Sequence, residues 1–254
     1  MALRLENSQE DEMVDTNKTV RDIAVELPYA PKVFEKLGID FCCGGKRPLS
    51  EACHASGIAV GEVVNHLESA EKAIQEGRES AAKNWSISTV SEVLDQILSR
   101  HHVYVREESP RIQQLFAKVA SKHGENHPEL VQAKELFDAL AGELMVHLMK
   151  EEQILFPYVR RMEESQVSGE PLPPSCFGTV RNPIQMMFME HDSAGELLKE
   201  IRKQTNDLKA PPDACISFQS LYRDLLAFEA DLHQHIHLEN NVLFPKVLEM
   251  EGAE

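Results

Sequence analysis

Two stretches of the chain read alike: HLMKEEQILFP from His147 and HIHLENNVLFP from His235. Each runs His-x-x-x-Glu, then four residues, then Phe-Pro, and the second begins 88 residues after the first. A further histidine precedes each one, His102 by 45 positions and His191 by 44. The i, i+4 spacing puts a His and its Glu on one face of a helix. At about 100° per residue, Leu136, Leu140, Leu144, His147, Glu151, Ile154 and Tyr158 share one sector of a helix. Leu221, Phe228, Leu232, His235, Glu239 and Val242 share a comparable sector near the end of the chain, and His233 and His237 point away from it. His191 falls with Ile184, Met187, Ala194 and Leu198. The earliest segment leaves two candidates, because His101 and His102 both border the stripe of Leu94, Ile97, Leu98 and Val105; angle favours His101 and spacing favours His102.

An all-α fold follows. Four long amphipathic helices are expected near 89–122, 128–165, 181–206 and 214–249, broken at KHGENHP, SGEPLPPSCFGT and KAPPDA, where Pro and Gly cluster. Thr89 and Glu92 read as a capping box at the first start. Short connections make consecutive helices antiparallel neighbours, so residues 89–250 are expected to form an up-and-down four-helix bundle of two related hairpins.

A single His-x-x-x-Glu on a helix is ordinarily a solvated surface pair. Its repetition on apolar faces changes the energetics. A carboxylate in an apolar stripe costs several kcal/mol unless it is paired, and two of them facing each other also repel. Bound cations remove both penalties. Four imidazoles and two carboxylates suit two metal ions, each with two histidines and both spanned by the carboxylates. Such mixed nitrogen and oxygen donors suit iron, manganese or zinc.

The front of the chain is different. Residues 1–15 read as an acidic tail, 16–75 as a small helical domain and 76–88 as a polar linker. In the small domain TVRDIAVELPYAPKVFEKLGI gives two short helices split by Pro28 and Pro31, and a later helix carries Val60, Val63, Val64 and Leu67 on one face. At about 55 residues the domain is marginal by itself and is expected to lean on the rest of the chain or on a partner, as in a homodimer. Between its helices stands DFCCGG. Neighbouring Cα atoms lie about 3.8 Å apart, too close for an unstrained disulfide. Cys42 and Cys43 are therefore expected as free thiols. Gly44 and Gly45 are expected to take φ > 0 and present both at an exposed tip, and Lys46 and Arg47 to favour thiolates. Cys53 is a possible third ligand, whereas Cys176 and Cys215 read as incidental.

The formal charge of −16, with no Lys/Arg cluster, argues against nucleic acid as a partner. The opening MALRLENSQEDEMVD lacks the basic start and apolar run of a secretory signal, and no stretch is long and apolar enough for a membrane span, so a cytoplasmic location with reduced cysteines is expected.

The His, His-x-x-x-Glu, His, His-x-x-x-Glu order resembles the hemerythrin-type bundle and differs from the Glu-x-x-His pattern of ferritin-like proteins. Together with DFCCGGKRPLSEAC ahead of it, the chain resembles the RIC ("repair of iron centres") family over about residues 16–250. That resemblance implies a carboxylate- and oxo- or hydroxo-bridged di-iron centre with ligands at His102, His147, Glu151, His191, His235 and Glu239. It also implies repair of iron-sulfur clusters damaged by nitric oxide or peroxide, with damaged iron-sulfur proteins or a cluster-assembly scaffold as partners. Six protein ligands leave coordination positions open, which suits a donor of loosely held iron with Cys42 and Cys43 handling transfer. Reduction to the ferrous state would weaken the bridge and help release. Two other functions fit an open pair of metals: reduction of nitric oxide to nitrous oxide by an enzyme, and carriage or sensing of oxygen, which the cysteine domain disfavours.

Overall fold

The computed structural model describes residues 14–172 and 174–252, and all regular secondary structure among them is helical. The chain divides between Asn84 and Trp85 into two compact units. The expected tail lies outside the described residues up to position 13. Its last part does not behave as a tail: Val14 is 4% exposed and packs in the core of the first unit.

The first unit holds four helices, α1 (Val20–Glu26), α2 (Ala30–Leu37), α3 (Leu49–Ser56) and α4 (Val60–Gln75). Thr19 starts α1 by accepting the Asp22 N–H at 3.1 Å. Pro28 separates α1 from α2, whereas Pro31 sits in the first turn of α2, where a missing N–H costs no helical bond. Gly38 and Gly57 close α2 and α3 at φ 67° and 69°, in the left-handed region. Phe34, Phe41, Leu49, Cys53, Val63 and Leu67 form the centre of this core, with Val60 packed at its edge.

The second unit is a four-helix bundle. After a 3-10 turn at Trp85–Ile87 come α5 (residues 90–123), α6 (129–168), α7 (Arg181–Gln204) and α8 (216–252). Thr89 and Glu92 form the expected capping box of α5, and Glu163 of α6 accepts the Val90 and Ser91 N–H groups at 2.8 and 3.0 Å. Glu251, on the last turn of α8, does the same for α7 through Val180 N–H at 2.6 Å. Phe116, Phe137, Phe156, Phe218, Phe228 and Phe244 fill the core between helices. An ion pair between half-buried Arg202 and buried Glu229, with Nε to Oε1 at 2.7 Å, ties α7 to α8.

Three of the four helices are interrupted by a wider π-helical turn: Ile97–His102 in α5, Glu151–Leu155 in α6 and Leu238–Leu243 in α8. Each turn contains a residue of the His/Glu pattern. A π turn inserts one residue into the α repeat and rotates the remainder of the helix by roughly 100°. This is why Ile154, expected on the inner face, is 47% exposed while Leu155 is buried. No helix among the described residues is long and apolar enough to cross a membrane.

Candidate metal centre

The six residues of the pattern converge in the bundle core. His102, His147, Glu151, His191, His235 and Glu239 are each at most 3% exposed. Their potential ligand atoms fall into two tight groups: His102, Glu151, His235 and Glu239 in one, and His147, Glu151, His191 and Glu239 in the other. Both carboxylates belong to both groups. Glu151 Oε2 lies 3.3 Å from His102 Nε2 and 3.4 Å from His147 Nε2. Glu239 Oε1 lies 3.0 Å from His235 Nε2, and its Oε2 lies 3.0 Å from His191 Nε2.

Of the two neighbours on α5, it is His102 that enters the cluster. The π turn ending at His102 advances it by one residue relative to the α-helical phase that centred His101. His101 is also buried, but its Nδ1 pairs with Asp231 at 3.0 Å and its ring stacks on that of His235. His237 is buried away from the cluster, with Nδ1 2.9 Å from Asn241 Nδ2.

The electrostatics of the cluster do not balance by themselves. Burial and the facing Glu239 charge push Glu151 well above the usual carboxylate range. For Glu239, burial works in the same direction, but His235 and His191 together pull it well below. Burial lowers His147, and lowers His102 to about 4, so both imidazoles are held neutral. His147 Nε2 and His191 Nε2 face each other at 3.2 Å. Both oxygens of Glu151 and Nε2 of His102 are buried without a hydrogen-bond partner. Buried acceptors turned toward one another are expensive. A cation among them satisfies all of them, so this donor set fits metal ions.

Neutral imidazoles bind metals through the nitrogen that carries no proton, and the group bonded to the other nitrogen decides which that is. Glu152 Oε1 accepts from His102 Nδ1 at 2.7 Å, Glu190 Oε2 from His147 Nδ1 at 2.8 Å, and Asn240 Oδ1 from His191 Nδ1 at 2.8 Å. Each leaves Nε2 turned to the cluster. Glu152 is paired with Arg106, and Glu190 with Lys150. His147 first, then Lys150, hold Glu190 down at about 2 despite partial burial. Sequence reasoning missed these three supports, although each stands next to a pattern residue: Glu152 after Glu151, Glu190 before His191 and Asn240 after Glu239.

The cysteine turn corrects several expectations. Cys42 is buried at 6% exposure and Cys43 only half-buried, so they do not form an exposed tip. No disulfide joins them, and their Sγ atoms lie 3.8 Å apart. Asp40 Oδ1 accepts the N–H groups of Cys42, Cys43 and Gly44 at 3.2, 3.0 and 3.0 Å, which draws the turn around its carboxylate. Neither Gly44 nor Gly45 has positive φ. They are required for close approach instead: a Cβ on Gly44 would meet Asp40 Oδ2 at 2.9 Å, and one on Gly45 would meet the Phe41 carbonyl oxygen at 2.6 Å. The Cys43 thiol, burial and the Asp40 charge push the Cys42 thiol well above its usual range, so Lys46 and Arg47 do not make it a thiolate. Cys53 is 1% exposed within the core, where burial also raises it. Cys215 is less incidental than its place in the chain implied. It starts α8 with His123 Nε2 3.1 Å from its sulfur, and the amides of Phe218 and Ser217, with Lys122, draw its thiol down.

Comparison with known proteins agrees with this geometry. Residues 16–71 match the ScdA_N domain, a domain of unknown function, and residues 93–247 match the hemerythrin HHE cation binding domain. A probable iron-sulfur cluster repair protein of Haemophilus influenzae is 35% identical over 227 residues, covering 89% of this chain and 95% of that protein. The iron-sulfur cluster repair protein YtfE of Citrobacter koseri is 35% identical over 227 residues, covering 89% and 94%. Its namesake from Escherichia coli is 34% identical over 237 residues, covering 93% and 99%. Both halves are matched in order and over nearly the whole length of these relatives, and the chain belongs to the RIC family that its sequence resembles.

Proposed function

We propose that the six side chains hold two iron ions, one between His102 and His235 and one between His147 and His191, with Glu151 and Glu239 shared. The protein then serves iron-sulfur cluster repair by handing iron to a damaged iron-sulfur protein or to the scaffold on which its cluster is rebuilt. One observation carries the reading: two fully buried carboxylates, Glu151 and Glu239, are each shared between two groups of buried histidines whose potential ligand atoms lie close together. The names of the relatives support the choice of iron and of clusters as clients.

Bound iron is the cargo, and each part of the site bears on how it is held. Glu151 and Glu239 offer oxygens to both ions, so removing one ion weakens the reason for the other carboxylate to stay ionised. Glu152, Glu190 and Asn240 fix the ring orientations. The Cys42/Cys43 pair includes a Cys42 thiol that the Cys43 thiol, burial and the Asp40 charge push well above its usual range. Its part is to take iron in transit, with loss of protons on binding.

The test is to mix the iron-loaded protein with an apo cluster protein and sulfide, following reactivation beside nitrous oxide production under nitric oxide. Reactivation with matching loss of iron from the donor is expected. Catalytic turnover of nitric oxide without any reactivation would replace this reading with that of a nitric oxide reductase.

A further inference from the structure

The two halves of the cluster share their carboxylates but are not equally supported. In the His147/His191 half, both rings are anchored at Nδ1, by Glu190 and by Asn240. In the His102/His235 half only His102 is anchored, by Glu152. Among the described residues His235 Nδ1 is buried without a hydrogen-bond partner, so no outer hydrogen bond orients that ring or raises its basicity. A second difference lies beside the same residue. A cavity of about 640 Å³ is lined by Asp231, Gln234 and Leu238, which surround His235 along α8, and by His101, whose ring stacks on His235 at 5.6 Å between centroids. The less anchored half thus lies behind one side chain, His101, from a cavity large enough to admit a small chelating group.

Resting on the di-iron reading above, we propose that the two seats are unequal: the ion between His102 and His235 is the one given up, by way of this cavity, and the ion between His147 and His191 is retained. Glu151 and Glu239 belong to both groups, so an ion retained between His147 and His191 still engages both carboxylates of the emptied seat. Glu190 and Asn240 are positioning residues that act through His147 and His191.

Chelator challenge of the full-length, iron-loaded protein tests this directly. With ferrozine under reducing conditions, iron should leave in two phases of equal size, with rates about tenfold or more apart, the usual effect of an outer hydrogen-bond partner. Crystals harvested after the fast phase should show iron anomalous scattering between His147 and His191 only. In Glu190→Gln the slow phase should accelerate toward the fast one while the fast phase is unchanged, which general loosening of the fold would not produce. Single-phase release from the wild type, or a retained ion beside His102 and His235, overturns the proposal. The parent reading fails separately. If iron never reaches an apo cluster protein while the retained ion still sits between His147 and His191, iron donation falls and the inequality stands. If transfer occurs with the retained ion in the other seat, the reverse holds.

Discussion

Glu151 and Glu239 are fully buried and adjacent, and burial with the facing Glu239 charge pushes Glu151 well above the usual carboxylate range. Replacing it by the isosteric neutral amide should therefore change the metal-free protein little. Glu151→Gln is expected to melt within about 1 kcal/mol of the wild type without metal, yet to retain less than roughly half of its iron, because a neutral amide is a far poorer ligand than a carboxylate. Thermal melts and iron per chain read the two effects separately. Acid should act through the histidines. His102 titrates at about 4 in the fold against about 6.5 when unfolded, so the unfolded chain binds the extra proton first. Its contribution is fully present above pH 6.5 and is lost as pH falls toward 4, on the order of 3 kcal/mol, and urea unfolding of the metal-free protein across that window measures it. Glu190, held at about 2, adds a further loss below about pH 4.5. Five of the six cluster residues could be picked from periodicity and repetition alone. The choice between His101 and His102 could not, because it depends on a local change of helical pitch that a fixed 100° step does not carry.

At the level of elements, the helices and their breaks were legible because apolar residues recur at the α period and Pro and Gly mark the connections. The π turns were not. They leave no mark in composition and show only as a slip of phase, as when Leu155 replaces Ile154 on the inner face. That slip gives a prediction. Deleting exposed Gln153 takes away the inserted residue, so residues 156–168 keep their seating while the wide turn that presents Glu151 disappears. The variant should stay helical and folded but lose iron. Deleting exposed Glu143 from the regular part of α6 rotates everything after it by about 100° and should unfold the bundle. Circular dichroism and iron content of the two variants distinguish these outcomes. In the first unit the cysteine turn was misread in conformation because CCGG suggests a flexible left-handed tip. The organising group is instead Asp40, whose carboxylate gathers three amides and leaves no room for a side chain at position 44, while the Phe41 carbonyl excludes one at 45.

Across the whole molecule, all six cluster residues lie in the second unit and the cysteine pair lies in the first. The storage and transfer roles proposed for them can thus be tested separately by mutation. Cys42→Ala/Cys43→Ala should keep the wild-type iron content and lose reactivation of an apo cluster protein, and full reactivation would remove the pair from the transfer route. The division into two units was legible from the polar stretch before Trp85, whereas the inclusion of Val14 in the first core was hidden by the acidic residues ahead of it. The five thiols differ sharply in what surrounds them. Cys42 and Cys53 are buried and raised, while Cys215 sits at a helix start beside an imidazole with its thiol drawn down. A maleimide added at neutral pH should therefore mark Cys215 before Cys42, and peptide mapping by mass spectrometry would show the order. Inhibition of the wild type by such a reagent would then report first on the end of the bundle, and only a Cys176→Ser/Cys215→Ser background turns label uptake into a readout of the three thiols of the first unit.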